Sequence, residues 1–147
     1  MGKSASPGRS AHGKAKQERL AKALARGLRV RKKMATEEGG SISAAEVAQR
    51  LGMTEQSVLK LYRQGRLLGW KAEDSLRFPA WQFVRKQYLH GLQVIMKKLN
   101  AGNALDDWGK VGFFLQSHGL LDEQRPLDLL RKKKLKPVLK AAEAYGS

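Results

Sequence analysis

Thr54, Glu55, Gln56, Ser57 and Lys60 place five hydrogen-bonding side chains within two turns' length of chain. Side chains of these kinds can read base edges. An amide such as Gln56 suits adenine, an ammonium such as Lys60 suits guanine, and a carboxylate such as Glu55 can accept from the cytosine amino group. Arg63, Arg66, Lys71 and Arg77 follow closely. They suit phosphates, which fix a protein on nucleic acid without specifying sequence. Other chemistries find less material. His12, His90 and His118 lie far apart, and none has the spacing of a metal-ligand set. Asp106 and Asp107 are adjacent, so a helix would turn them away from each other. Ser43 is better explained as a helix cap than as a nucleophile, and no Gly-rich phosphate loop with a following Lys-Ser or Lys-Thr is present. No cofactor or metal is expected, and the chain does not read as an enzyme.

For the polar cluster to meet bases, the chain must hold it outward on a short helix. The stretch ISAAEVAQRLGMTEQSVLKLYRQGRLLGW, residues 42–70, is built to do so. Ser43 and Glu46 have the spacing of a capping box, and Ile42 before the cap can staple onto Val47. Val47, Ala48 and Leu51 form one apolar stripe, and Gly52 supplies a left-handed end. Thr54 caps a second helix whose buried face is Val58, Leu61 and Tyr62, and Gly65 ends it. Two short helices across a three-residue turn cross steeply, as in a helix-turn-helix. Leu67–Trp70 and Leu76–Phe78 then read as strands flanking the turn KAEDS, a wing that Pro79 closes. Ala80–Phe83 reads as a single turn and RKQYLHG as a loop.

This pattern resembles the winged helix-turn-helix of the excisionase and MerR-like class over residues 42–78. The resemblance implies DNA contacts from the second helix and the wing.

The flanks are different in kind. Residues 1–13 mix Gly, Ser, Pro and basic residues and read as disordered. Residues 14–35 favour helix and align Leu20, Leu24 and Leu28 on one face, a partly helical basic arm. TEEGGS at 36–41 reads as a flexible joint. Toward the C-terminus, Leu92, Ile95, Met96 and Leu99 mark one helix, and Leu105, Trp108, Val111 and Leu115, with Phe114 beside them, mark another that Gly119 ends. Pro126 opens a short helix holding Leu127, Leu129 and Leu130. Pro137 opens the last, with Val138, Leu139, Ala142 and Tyr145 inward. The run from Trp108 through RPLDLLRKKKLKPVLKAAEAYG is similar to the toxin-binding domain of the MbcA/ParS/Xre antitoxins. That resemblance implies a homodimer and a RES-type toxin as partner, with Trp108, Phe114, Arg125, Pro126, Leu127, Leu130 and Tyr145 as core or partner-facing residues. RKKKLK at 131–136 could touch phosphate, but a solvated charge run is the commoner meaning.

Charge sets the partner class. Across 147 residues, 29 Lys and Arg face 13 Asp and Glu, a net +16. A chain so positive is drawn to polyanions. The excess is +8 over residues 1–41, +6 over 42–98 and +2 over 99–147, so it fades toward the C-terminus. There is no Cys, hence no disulfide framework and no thiolate zinc site. No apolar run approaches the roughly 18 residues of a membrane span. The basic N-terminus lacks the apolar stretch of a secretory signal. A cytoplasmic, nucleoid-associated protein with no membrane contact is expected.

The expected architecture is mainly α: a basic arm (1–41), a winged helix-turn-helix with a small β-hairpin (42–90) and a small helical interaction domain (91–147). The expected function is a regulator of transcription on double-stranded DNA, in the manner of an antitoxin-like repressor. The alternative is a sequence-independent nucleic-acid-binding or chromosome-packaging protein that works through the arm.

Overall fold

Ala, Lys, Arg and Leu dominate between Pro7 and Thr36. In the computed structural model, which describes residues 7–146, this stretch is a single helix of 30 residues, α1 (Pro7–Thr36). Residues 7–13, expected to be disordered, are therefore helical. Residues 1–6 and the side chain of His12 lie outside what is described. The chain divides into two units, Met1–Lys33 and Met34–Ser147.

In the second unit, the expected flexible joint is ordered. Glu37–Gly39 forms a 3-10 turn with Glu38 in the left-handed region (φ 53°). Arg125 bonds Glu38 at 2.9 Å, and Arg131 bonds the other oxygen of the same carboxylate at 2.9 Å. Partners so distant in sequence leave no local trace, which is why Gly39 and Gly40 suggested looseness. Ser41–Ser43 then forms β1, which pairs antiparallel with β3 (Ser75–Pro79) in register Ile42 with Phe78. On the other edge of β3 lies β2 (Trp70–Ala72), with Trp70 opposite Arg77. The wing is thus a hairpin with a two-residue turn, Glu73–Asp74, in a three-stranded sheet ordered β1-β3-β2. Leu67 and Leu68 precede the strand: both are buried, a pattern that strand alternation does not produce.

Ser43 builds the start of α2 (Ala44–Leu51) through the full capping box, its hydroxyl accepting from the Glu46 N–H while the Glu46 carboxylate accepts from the Ser43 N–H. Gly52 closes α2 at φ 66°. Thr54 caps α3 (Glu55–Arg63). Where a loop was expected, a second hairpin joins β4 (Phe83–Val84) to β5 (Gln87–Tyr88). Four helices complete the chain: α4 (Leu92–Asn100), α5 (Asp107–Leu115), α6 (Pro126–Arg131) and α7 (Leu135–Gly146). Two helix limits differ from expectation. Gly119 does not end α5; it begins a 3-10 turn, Gly119–Leu121. Pro137 lies in the first turn of α7 rather than opening it, where its missing N–H still costs nothing.

The protein is mainly α with a small antiparallel hairpin sheet. Its apolar side chains form two clusters. Ile42, Val47, Ala48, Val58, Leu67, Phe78 and Phe83 make the smaller, beneath α2, α3 and the sheet. The larger is built from α4–α7, and Leu68, Trp70, Trp81 and Leu89 belong to it. Side chains N-terminal to residue 90 thus fill the C-terminal core, so packing is continuous across the boundary expected at 90/91. Buried Gln82 stitches the same region, its amide donating to Leu68 O and accepting from Leu68 N–H.

Candidate nucleic-acid interface

The orientation of α3 follows from one buried residue. Val58 is fully buried, while Leu61 and Tyr62 pack half-buried against the smaller cluster. The opposite edge is left to solvent: Thr54, Glu55, Gln56, Ser57, Lys60 and Arg63 are all exposed. Two of them also have structural work. Thr54 Oγ1 accepts from the Ser57 N–H at 3.1 Å, and the Thr54 hydroxyl donates to Ser57 Oγ at 3.0 Å. Glu55, Gln56 and Lys60 carry no such local bond among the described residues.

The far end of α3 is fixed from several directions. Gly65 N–H donates to Tyr62 O and Arg66 N–H to Leu61 O, each at 2.9 Å, the bond pair of a Schellman end. Gly65 has φ 74°, and a Cβ there would meet Asn100 Nδ2 at 2.6 Å. That close approach lets Asn100 donate to Gly65 O at 2.8 Å. Gln93 bonds Arg66 twice, accepting from Nε at 3.0 Å and donating to the backbone carbonyl at 2.8 Å. The Tyr62 hydroxyl donates to Asp107 at 2.6 Å. Burial, and then the neighbouring Asp107 carboxylate, push the Tyr62 phenol up to about 12. Sequence reasoning missed Gln93, Asn100 and Asp107 as supports, because each acts across 27 to 45 residues.

The remaining expected contacts separate. Lys71 is exposed on β2 and Arg66 is exposed. Arg77 is not a free phosphate ligand. It is half-buried, and its Nε and Nη2 donate to Ser41 Oγ at 3.1 Å and Ser41 O at 2.8 Å, tying β3 to β1. The wing tip carries Glu73 and Asp74, both exposed.

Of the residues carried over as core or partner-facing, Phe114, Pro126, Leu127 and Leu130 are buried within this single chain and cannot face a partner. Trp108 is half-buried and stacks on Trp70 with ring centroids 4.7 Å apart. Tyr145 is 36% exposed and packs on Phe113 and His118. Arg125 bonds Asp128 through two nitrogens, at 2.8 Å each, besides its bond to Glu38. Arg125 holds the Asp128 carboxyl below its usual range, and Arg125 with Arg131 does the same for Glu38. Among the described residues, no three His, Asp or Glu side chains converge to hold a metal ion. No helix among them is long and apolar enough to cross a membrane.

No family model and no curated protein matches the chain. Its fold is similar to that of a solved structure described as "NMR structure of Rv2175c", with a TM-score of 0.62 and 20% identity, covering 76% of this chain and 84% of that one. At that identity the likeness is one of fold.

Proposed function

We propose that the chain is a winged helix-turn-helix regulator that binds duplex DNA, with α3 as the reading helix. The observation that carries this reading is the exposed edge Glu55–Gln56–Lys60, opposite buried Val58 on a helix whose C-terminal end is held by Gln93, Asn100 and Asp107. At nine residues, α3 is about 13 Å long by the rise of 1.5 Å per residue, comparable with the roughly 12 Å width of the major groove. Arg63 and Lys71 supply phosphate contacts. Acidic Glu73 and Asp74 would repel phosphate, so the wing approaches through the Lys71 flank rather than its tip. As a homodimer, the protein would span half-sites about 34–36 Å apart.

The test is selection of preferred duplexes, followed by anisotropy titrations at several salt concentrations. Gln56→Ala and Lys60→Ala should relax base preference, each by about 1–3 kcal/mol of discrimination. Arg63→Ala and Lys71→Ala should weaken all sequences alike, each lowering the salt slope by about one. Wild-type preference in the Gln56 and Lys60 variants would remove α3 as the reader.

A second reading, sequence-independent binding through the arm, is supported by α1, which carries ten Lys and Arg against a single acidic residue, Glu18. Removing residues 1–33 separates the two, since Met34 is the first α1 residue in the core. Selective binding survives under the first reading, and all binding collapses under the second. For a toxin partner, Tyr145 and the open parts of Trp108 and Arg125 are what remains on the surface. Co-purification with variants at these three positions would test that role.

A further inference from the structure

The basic run at 131–136 does not stand alone in the fold. The β4–β5 hairpin and the end of α6 enclose a groove of about 510 Å³, lined on one side by Val84 and Gln87–His90 and on the other by Leu130, Arg131 and Lys133. Just beyond the hairpin the chain runs close to α6 and α7, where a Cβ on Gly91 would meet Leu135 Cδ1 at 2.6 Å and Leu130 Cδ2 at 3.5 Å. Lys133 lines the groove, whose lining holds no acidic side chain; four more exposed cations adjoin it along the chain, Arg85–Lys86 in the hairpin turn between Val84 and Gln87, and Lys132 and Lys134 on either side of Lys133.

Neutralisation is uneven here. In the adjacent cluster, Glu37, Glu38 and Asp128 are engaged with Arg125 and Arg131. Among the described residues, none of the five cations at or beside the groove makes an ion pair, although Lys132 lies close enough to Asp128 to help hold its carboxyl low.

Backbone geometry points the same way. Helix α6 ends in the same bond pair as α3: Lys133 N–H donates to Leu130 O and Lys134 N–H to Leu129 O, each at 2.9 Å. In α3 the left-handed position is Gly65; in α6 it is Lys133, at φ 61°. In the hairpin turn Arg85 has φ 59°, at the first position of a two-residue turn that requires a positive φ, as Glu73 does in the other hairpin. A side chain in this region is strained where glycine is not. The other non-glycine residues at positive φ are Glu38, Glu73, Asn103, Asp122 and Glu123; of the two basic ones among the described residues, Lys133 lines this groove and Arg85 follows its lining residue Val84. A favourable helix dipole accounts for a cation at the end of α6, and the hairpin turn accounts for the positive φ of Arg85; neither requires that both positions be basic beside the same groove.

We propose that the β4–β5 turn and the α6–α7 turn form a second phosphate-binding surface, which takes the sugar–phosphate backbone of DNA independently of base reading by α3. The proposal adds to the DNA-binding reading above and is tested alongside it. The probes are random-sequence duplexes of about one and a half and about four helical turns, bound to full-length protein over a range of salt concentrations. Each phosphate contact contributes about 0.9 to the salt slope. On the long duplex, Lys132→Gln/Lys133→Gln/Lys134→Gln should lower the slope by about two to three, and Arg85→Gln/Lys86→Gln by about one to two. If the surface grips the flank of one duplex, the loss appears only on the long probe. If it takes a second duplex, short probes bind two per protein and the variants bind one.

Lys133→Gly and Arg85→Gly distinguish binding from structure. Relief of the left-handed strain should leave the melting temperature equal or higher, while the slope falls by about one. A lower melting temperature with an unchanged slope would mean that the residues serve only the fold, and would overturn the proposal. So would wild-type slopes in the Gln variants, or loss of retention by phosphatidylglycerol vesicles with DNA binding intact. Lys60→Gln/Arg63→Gln, run in parallel, keeps the two readings apart. If that pair has no effect while the groove variants lose slope, α3 fails as the reader and the second surface stands.

Discussion

The two halves of the folded unit bury their apolar residues on different scales. Seven buried side chains form the cluster under α2, α3 and the sheet, whereas twenty form the larger one, fourteen of them on α4–α7. The smaller core is not alone in holding α3. The polar bonds Tyr62–Asp107, Gly65–Asn100 and Arg66–Gln93 all run from the end of α3 to α4 or its neighbour α5. The small core therefore orients α3, and the large one anchors its trailing end. What remains exposed is the outer edge at Glu55, Gln56 and Lys60, the part that the proposed function sends into the groove.

The largest expected effect breaks the big core. Leu127 is fully buried, and Leu127→Ala should cost about 2–5 kcal/mol through lost transfer energy and a residual cavity. Because Leu68 and Trp70 share that core, thermal unfolding should remain one transition, followed equally by circular dichroism and by DNA binding. Two separated transitions would show that the halves are independent after all. Next comes Val58→Ala, which removes two buried methyl groups beneath α3 at about 2 kcal/mol. It should weaken DNA binding beyond what the unfolded fraction explains; affinity that tracks only stability would deny the small core its orienting role. Ser43→Ala should cost about 1 kcal/mol, since it removes a cap whose geometry is complete.

The smallest effect tests the anchor. Tyr62→Phe should change the melting temperature little at neutral pH but lower DNA affinity measurably; equal affinity would leave the hydroxyl no part in placing α3. Burial and the same bond give a pH signature. The Tyr62 phenol is raised from 10.0 to about 12 in the folded state, so wild type holds its stability relative to Tyr62→Phe below pH 10 and loses ground to it as pH rises toward 12. Denaturant titrations across that window should show this relative loss, and a difference that does not change with pH would count against the bond.

Legibility in the sequence followed the range of the interactions. The capping box at Ser43–Glu46, the left-handed Gly52, the Thr54 cap and the Gly65 end are local, and all were readable from spacing. The first strand of the sheet was not, because Ile42 meets Phe78 only through tertiary pairing. TEEGGS looked loose because the partners of Glu37 and Glu38 are Arg125 and Arg131. Arg77 looked like a phosphate ligand because its sequence does not reveal Ser41 beside it. The antitoxin resemblance left Phe114, Pro126, Leu127 and Leu130 as core or partner-facing residues; these types at helical spacing report packing, and they lie in the core.

The most direct measurement is backbone amide NMR of the full chain, titrated with a duplex enriched by selection. Binding through α3 should shift the amides of Gln56, Ser57 and Lys60 most, with Lys71 following, while buried α5 stays in place. Shifts confined to residues 14–33, with α3 unmoved, would contradict the account.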